Sequence, residues 1–293
     1  MNNVPEAPLK ALPPNRPVRL RNATCAYCGR PFCSELPSTK EHVIGRRFVP
    51  LGTLDRQWNL LLRACDRCNG EKADLENDIS AITMQPDAYG AFAVDDPIFQ
   101  KETTRRAANA ISRRTRRPVE DSREEVQIGG SELAVTFTAP PQVDAKRLYR
   151  LAHLHVQGFF YWITHQPATE RGGFPGTFVD VASASRSDWG SPSMRWFMSS
   201  VECWHPRIEG TTAHGFFRIS IRRHPEGHPV WSWALEWNKS HRVVGFVGDS
   251  EAIVPVISSR PSPSGHAYAG TDGAIYRLRE EVPLSPEEDI LFA

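Results

Sequence analysis

Two C-x-x-C pairs constrain this chain more than any other feature in it. Cys25 and Cys28 flank Ala26-Tyr27, and Cys65 and Cys68 flank Asp66-Arg67. A C-x-x-C knuckle lets two thiolates reach one ion at about 2.3 Å, and two knuckles close a tetrahedral shell around Zn2+. A closed shell of four cysteines leaves no position for substrate, so the ion is structural. It ties a long loop and contributes to folding where little core is available. Cys33, five residues past Cys28, is the competing ligand. Cys203 lies far from both pairs and reads as a core thiol.

The bulk properties set the limits. A chain of 293 residues makes one large domain or two of ordinary size. Apolar residues make up 40% and charged residues 24%, which excludes disordered and fibrous classes. A net charge of +1 means that no whole-molecule field recruits nucleic acid or membrane, so local charge has to carry any such role. No apolar run is long enough to span a bilayer, and no membrane partner is expected. Residues 1–21 are proline-rich and read as an extended tail rather than a secretory signal. A reducing, cytoplasmic compartment follows, where paired cysteines indicate metal rather than disulfides.

Between the knuckles stands Glu41-His42. Alone, such a pair is an ordinary strand end. Hydrolysis of a phosphodiester, however, needs a base for water, and neutral histidine is suited to it. It also needs positive charge at the phosphate, which one hard divalent cation supplies through oxygen ligands. Glu41 offers a carboxylate and Asn69 a side-chain oxygen; Asn69 is also a candidate helix cap. Adjacent strand residues point to opposite faces. Both members of the pair reach one phosphate only at a strand end or an irregular loop. Asn59 has the amide to hold such a loop from both sides.

This arrangement resembles the HNH endonuclease family, in its zinc-braced, four-cysteine subgroup with the ββα-metal fold. The resemblance covers roughly residues 22–80 and implies a role for each position. Glu41 stands at the family's acidic metal ligand, His42 at its general base and Asn59 at the asparagine that braces the loop. Asn69 stands at the second ligand of a catalytic Mg2+ (or Mn2+). Lys72 stands at a lysine that contacts phosphate or supports the helix. The structural zinc falls to Cys25, Cys28, Cys65 and Cys68. One departure is Gly45, where the family often has proline after E-H-[IV]-x, which leaves the strand exit less rigid.

The remaining chain reads as α+β. Residues 83–142 form a linker with a basic helix over Lys101–Arg117, stopped by Pro118, and a hairpin around Gly129-Gly130. From 143 a second α+β domain begins. Asp144 caps a helix that runs to Pro167 and is apolar on more than one side. About five strand-like runs follow, "GTFVDVA", "SMRWFMSSVECW", "HGFFRISIRR", "PVWSWALEWN" and "RVVGFVGD", as an antiparallel sheet with a packed helix. In the fourth run Trp231, Trp233, Leu235 and Trp237 alternate with Ser232, Ala234 and Glu236, the pattern of a half-buried strand. The tryptophans of this half read as core rather than a base-stacking platform, and His153 and His155 as structural. No histidine pair at ligand spacing beside an acid stands out. The C-terminal "LSPEEDILFA" reads as an acidic tail with an apolar tip.

The expected function is a metal-dependent endonuclease that nicks or cleaves DNA, double-stranded in the first instance, in restriction or anti-phage defence with protein partners of such a system. Backbone contacts are expected from Arg46, Arg47 and Arg63 near the site and from Arg105, Arg106, Arg113 and Arg114 on the basic helix. The alternatives are RNA as substrate, or a non-catalytic zinc module that binds nucleic acid or protein.

Overall fold

The structure is a computed structural model describing residues 9–87, 89–129, 134–262, 265–269, 275–278 and 280–292. Strand β1 (Val18–Arg19), β2 (Ser38–His42) and β3 (Leu60–Cys65) form a small sheet in the order β1-β3-β2. β2 runs antiparallel to β3, with His42 opposite Leu61, and β1 runs parallel to β3. β3 leads directly into helix α1 (Asp66–Thr83), capped at Cys65 without a side-chain hydrogen bond. Two strands and a helix thus follow one another around the cysteine cluster. Residues 9–21 are docked rather than trailing. Val18 N donates to Asn59 O, Lys10 N donates to Arg207 O, and Leu12 packs on the core.

Helix α2 (Pro97–Asn109) has Asp96 as its cap, accepting from Ile98 N and Phe99 N. It is shorter than the expected basic helix, so Arg113 and Arg114 lie in the loop beyond it. Strands β4 (Glu124–Gly129) and β5 (Ala134–Ala139) form the expected hairpin, whose turn at Gly130 lies outside the described residues.

Helix α3 (Ala145–Ile163) is capped by Asp144, which accepts from Lys146 N and Arg147 N. Then come β6 (Thr177–Ser185), helix α4 (Pro192–Val201), β7 (His205–Thr212), β8 (Phe217–Arg223), β9 (Val230–Trp237) and β10 (His241–Gly248). They build a five-stranded antiparallel sheet in the order β6-β10-β9-β8-β7. Helix α5 (Ser250–Ile257) and a small hairpin, β11 (His266–Ala269) with β12 (Ile275–Leu278), complete the chain.

Four expectations change here. "SMRWFMSSVECW" is helical over Pro192–Val201, because Met194, Phe197, Met198 and Val201 recur at helical spacing behind a proline in the first turn. β7 takes its place in the sheet. β9 is buried along its whole length rather than on one face. Its tryptophans pack with α3 in one cluster, while Val230 and Ala234 face a second with Phe197, Trp204 and Phe246. Glu236 is tolerated there because Arg242, fully buried, donates to it at 2.8 and 3.0 Å. Arg242 also pairs with Asp289 and lies 3.7 Å over the Trp189 ring. With Leu291 buried, the acidic C-terminal segment is part of the core and not a free tail. Cys203 is exposed, not a core thiol.

α3 lies against both parts of the molecule. Its Leu151, Val156 and Phe159 share one apolar cluster with Val43, Leu60 and Leu75 from the small module and with Phe217, Trp233 and Trp237 from the large sheet. The approach is close. A Cβ on Gly158 would stand 2.8 Å from Val43 Cγ2. Trp58 Nε1 donates to Thr211 O at 2.7 Å, and Asn238 Nδ2 donates to Phe48 O at 3.1 Å. The boundary expected at residue 143 is therefore crossed by a continuous interior. Phe99 on α2 belongs to that interior too, so α2 of the expected linker packs on the core. No helix among the described residues is long and apolar enough to cross a membrane.

Candidate metal centre and phosphate pocket

The first knuckle turns on Gly29, whose φ of +73° closes a loop in which Gly29 N donates to Cys25 O and Cys25 N to Arg30 O. The second knuckle is the junction of β3 and α1. Cys65 N donates to Cys25 Sγ at 3.3 Å, and Cys28 Sγ lies 4.0 Å from Cys65 Sγ. The four sulfurs lie within 4.8 Å of one another and form no disulfide. A tetrahedron with bonds of about 2.3 Å has edges of about 3.8 Å, so this site fits a structural zinc ion. Cys33 is exposed and outside the cluster.

Asn59 holds the turn after β2 from both sides. Its Nδ2 donates to Ile44 O at 2.8 Å and its Oδ1 accepts from Ile44 N at 3.3 Å. Gly45, the departure from the family pattern, has a local explanation. Its N–H donates to Glu76 Oε1 at 3.0 Å, a bond that proline lacks the proton to make. A Cβ there would fall 2.1 Å from Glu76 Oε2. Glu76 thus takes over the bracing of the strand exit.

Glu76 is also the hub of a buried ionic group. Its Oε1 accepts from Lys72 Nζ at 2.6 Å and lies 3.2 Å from His155 Nε2. Lys72 reaches Glu41 Oε1 at 2.9 Å and donates to His42 O at 3.2 Å. Tyr27 donates to the same Glu41 oxygen at 2.9 Å. Burial alone would strip the Lys72 ammonium of its proton. Glu76 and Glu41 outweigh burial and raise its pKa above the ordinary lysine value. Burial raises Glu41 against the opposing pull of Lys72. His155 is pushed down to about 4 by burial, so it is neutral and donates from Nε2. Lys72 is 1% exposed. It supports helix and strand and does not contact phosphate, since no phosphate reaches a group sealed this way.

Thr39 and Glu41 share the face of β2 that meets α1, and Asn69 Nδ2 donates to Thr39 Oγ1 at 2.9 Å. Asn69 sits one turn inside α1, so it is not the cap. Among the described residues, no hydrogen bond falls on Glu41 Oε2 or Asn69 Oδ1. These are hard oxygen donors of the kind Mg2+ takes. Two carboxyl groups also face a single ammonium, a surplus that favours a cation. The donors therefore match a hard divalent ion in type, and Lys72 is the group that opposes one.

His42 is the last residue of β2 and points to the other face. It lines a pocket of about 380 Å³ with Arg46, Asn59, Asp55, Gln57 and Pro17. Burial pushes its pKa down to about 4, helped by the charges of Arg46, Lys40 and Lys72, so it is neutral at neutral pH. The structure does not gather His42, Glu41 and Asn69 around one point. It places His42 with Arg46 and Asn59 on one side of the strand and the two oxygen ligands on the other. Asp55 and Gln57 went unnoticed in the sequence, where nothing but their loop position marks them.

The expected arginines divide. Arg46 and Arg47 are exposed and, among the described residues, have no ion-pair partner. Arg63 is exposed, donates to Ser38 Oγ and Asn22 O, and stacks 4.7 Å over Phe32. Arg106 is 4% exposed, paired with Glu102 and bonded to Phe48 O and Val49 O, so it cannot contact nucleic acid. Arg105 pairs with Glu102, Arg113 with Asp74 and Arg114 with Glu124. The expected basic face is thus largely neutralised by its own carboxylates.

A second group of metal-ligating residues escaped the sequence reading. His224, Glu226 and His228 bring their ligand atoms within 4.8 Å of one another at the turn between β8 and β9. The signal was present as H-x-E-x-H across a Pro-Gly turn. No family model matches this chain, and neither a curated protein nor a solved structure does so.

Proposed function

We propose that this chain is a zinc-braced HNH-type endonuclease that hydrolyses DNA phosphodiesters. One observation carries the reading: a neutral, half-buried His42 at a strand end, facing a pocket with a free Arg46 beside a loop that Asn59 holds rigid. His42 would take a proton from the attacking water. Arg46, with its exposed neighbour Arg47, would hold the phosphate by charge-assisted hydrogen bonds. Asn59 fixes the loop on which Arg46 stands. Glu41 and Asn69 would hold Mg2+ or Mn2+ on the face of β2 opposite His42, and the ion would supply positive charge only to a phosphate lying across the strand end between the two faces. In the family that the motif resembles, the products carry 5′-phosphate and 3′-hydroxyl ends. One such site cuts one strand, so a double-strand break needs two copies or two visits. A place in restriction or anti-phage defence rests on that resemblance alone.

Lys72 favours a second reading, a non-catalytic zinc module that binds nucleic acid, because its ammonium already satisfies Glu41. Supercoiled-plasmid nicking with Mg2+ or Mn2+ separates the two. Wild type and His42→Ala are compared after both are shown to be folded and to hold zinc in the cysteine site, with single-stranded RNA as a parallel substrate. Nicking by wild type and its loss in the variant is the expected outcome. Equal cutting by both would remove His42 from the chemistry. Plasmid binding without cutting under either metal favours the second reading.

A further inference from the structure

The turn between β8 and β9 is built like a metal-binding loop, and it lies in the five-stranded sheet, apart from the cysteine cluster. β8 ends at Arg223 and β9 begins at Val230. His224 N donates to Val230 O, and Gly227, with φ +76°, reverses the chain. This brings three residues spaced two apart onto one tip. Glu226 Oε2 lies 3.3 Å from His228 Nε2. The His224 and His228 rings are 4.9 Å apart at 68°. His224 is backed by the Trp204 ring at 4.9 Å, and its Nδ1 accepts only a long bond of 3.3 Å from Glu226 N.

Those separations have a simple chemical reading. Ligands bonded to zinc at about 2.0–2.1 Å in a tetrahedron stand about 3.3–3.4 Å apart. The Glu226–His228 separation is already that edge, and too long for a good charge-assisted hydrogen bond. His224 brings a third ligand atom within 4.8 Å of the other two. Two imidazoles and one carboxylate suit Zn2+, and Ni2+ or Cu2+ by the same ligand preference, and not Mg2+.

We infer that His224, Glu226 and His228 form a second, surface-exposed site for a divalent transition metal, with three protein ligands and one position open to water or an anionic oxygen donor. It is independent of the nuclease reading. It differs from the cysteine site in being exposed, free of thiolate and dispensable for folding.

The test uses the full chain with its cysteine site filled. Zinc content is measured before and after equilibration with added ZnCl2, and uptake is followed by calorimetry, for wild type and for His224→Ala/His228→Ala. Wild type should take up one zinc more than the variant, while both keep the zinc of the cysteine site. Uptake should be weaker at acidic than at neutral pH, because imidazole binds a metal only in its neutral form. Co2+ at the second site should give a visible spectrum without the thiolate charge-transfer band, which rules out Cys33 and Cys203 as ligands. Glu226→Gln should weaken uptake without abolishing it. If wild type takes up no second zinc, or if the double variant takes it up equally, the inference is overturned.

Discussion

Lys72 shows how a single sealed side chain can hold a strand and a helix together. A sealed ammonium keeps its proton only with carboxylates against it, and here Glu41 and Glu76 supply two. Lys72→Met would leave Glu76 charged and buried with only His155 and the Gly45 amide for partners. The expected loss is about 3–5 kcal/mol, read as a lower urea midpoint at unchanged slope. His42→Ala should behave oppositely. Its ring is half-buried and holds nothing up, so stability should change by less than about 1 kcal/mol while nicking disappears. A His42→Ala protein that melts many degrees lower would mean that the ring is structural. The zinc ligands and the Asn59 brace were legible in the sequence, because they follow from spacing and from the two-sided reach of an amide. The direction of Lys72 was not. A lysine one turn into a helix is the same letter whether it meets phosphate or carboxylate, and the deciding partner, Glu76, is one turn further along and carries no motif.

At the scale of elements, the exit of β2 depends on a glycine and a glutamate. Gly45→Ala places a methyl against Glu76 and should cost about 1–3 kcal/mol by overpacking. Gly45→Pro adds the loss of the N–H donated to Glu76, so it should melt lower still. Equal melting of the two variants would dismiss that hydrogen bond. Strands β6, β8, β9 and β10 and helix α3 were visible as alternation or capped periodicity. α4 was misread because "SMRWFMSSV" is rich in residues that suit either element, and its helical spacing is only ten residues long. β7, "HPRIEGTT", lacks an apolar alternation strong enough to announce an edge strand. The basic helix misled for a different reason. Charge counts along the chain do not show which carboxylates fold back onto them, and Asp74, Glu102 and Glu124 come from separate elements.

The whole molecule is tuned to neutral pH. His42, His155 and His241 are each held near about 4, with burial as the leading cause. As pH falls below about 6.5 the unfolded chain takes up protons at these positions while the folded chain does not. Folding stability should therefore drop between about pH 6.5 and 4, by a few kcal/mol with the largest share from the fully buried His155, and level off below. Guanidinium unfolding at pH 7 and pH 5 checks this, and a midpoint that rises at pH 5 would contradict it. Zinc removal acts at the same scale. Because the cluster around Val43 and Leu75 continues into the large sheet, chelation should lower the melting of the entire chain in one transition, not release a separate small unit.

That continuous interior also bears on descent. Compact zinc modules commonly travel between genes as cassettes, each folding wherever it lands. Here a break near residue 143 would leave α3 with Trp233 and Trp237 but strip from it Val43, Trp58 and Leu75, which cover its other side. Neither fragment would keep a closed apolar centre. Recombination at that point yields two failures rather than two proteins, so the halves are bound to be inherited together and to diverge together. A substitution that enlarges Gly158 is then acceptable only in a lineage that has already trimmed Val43.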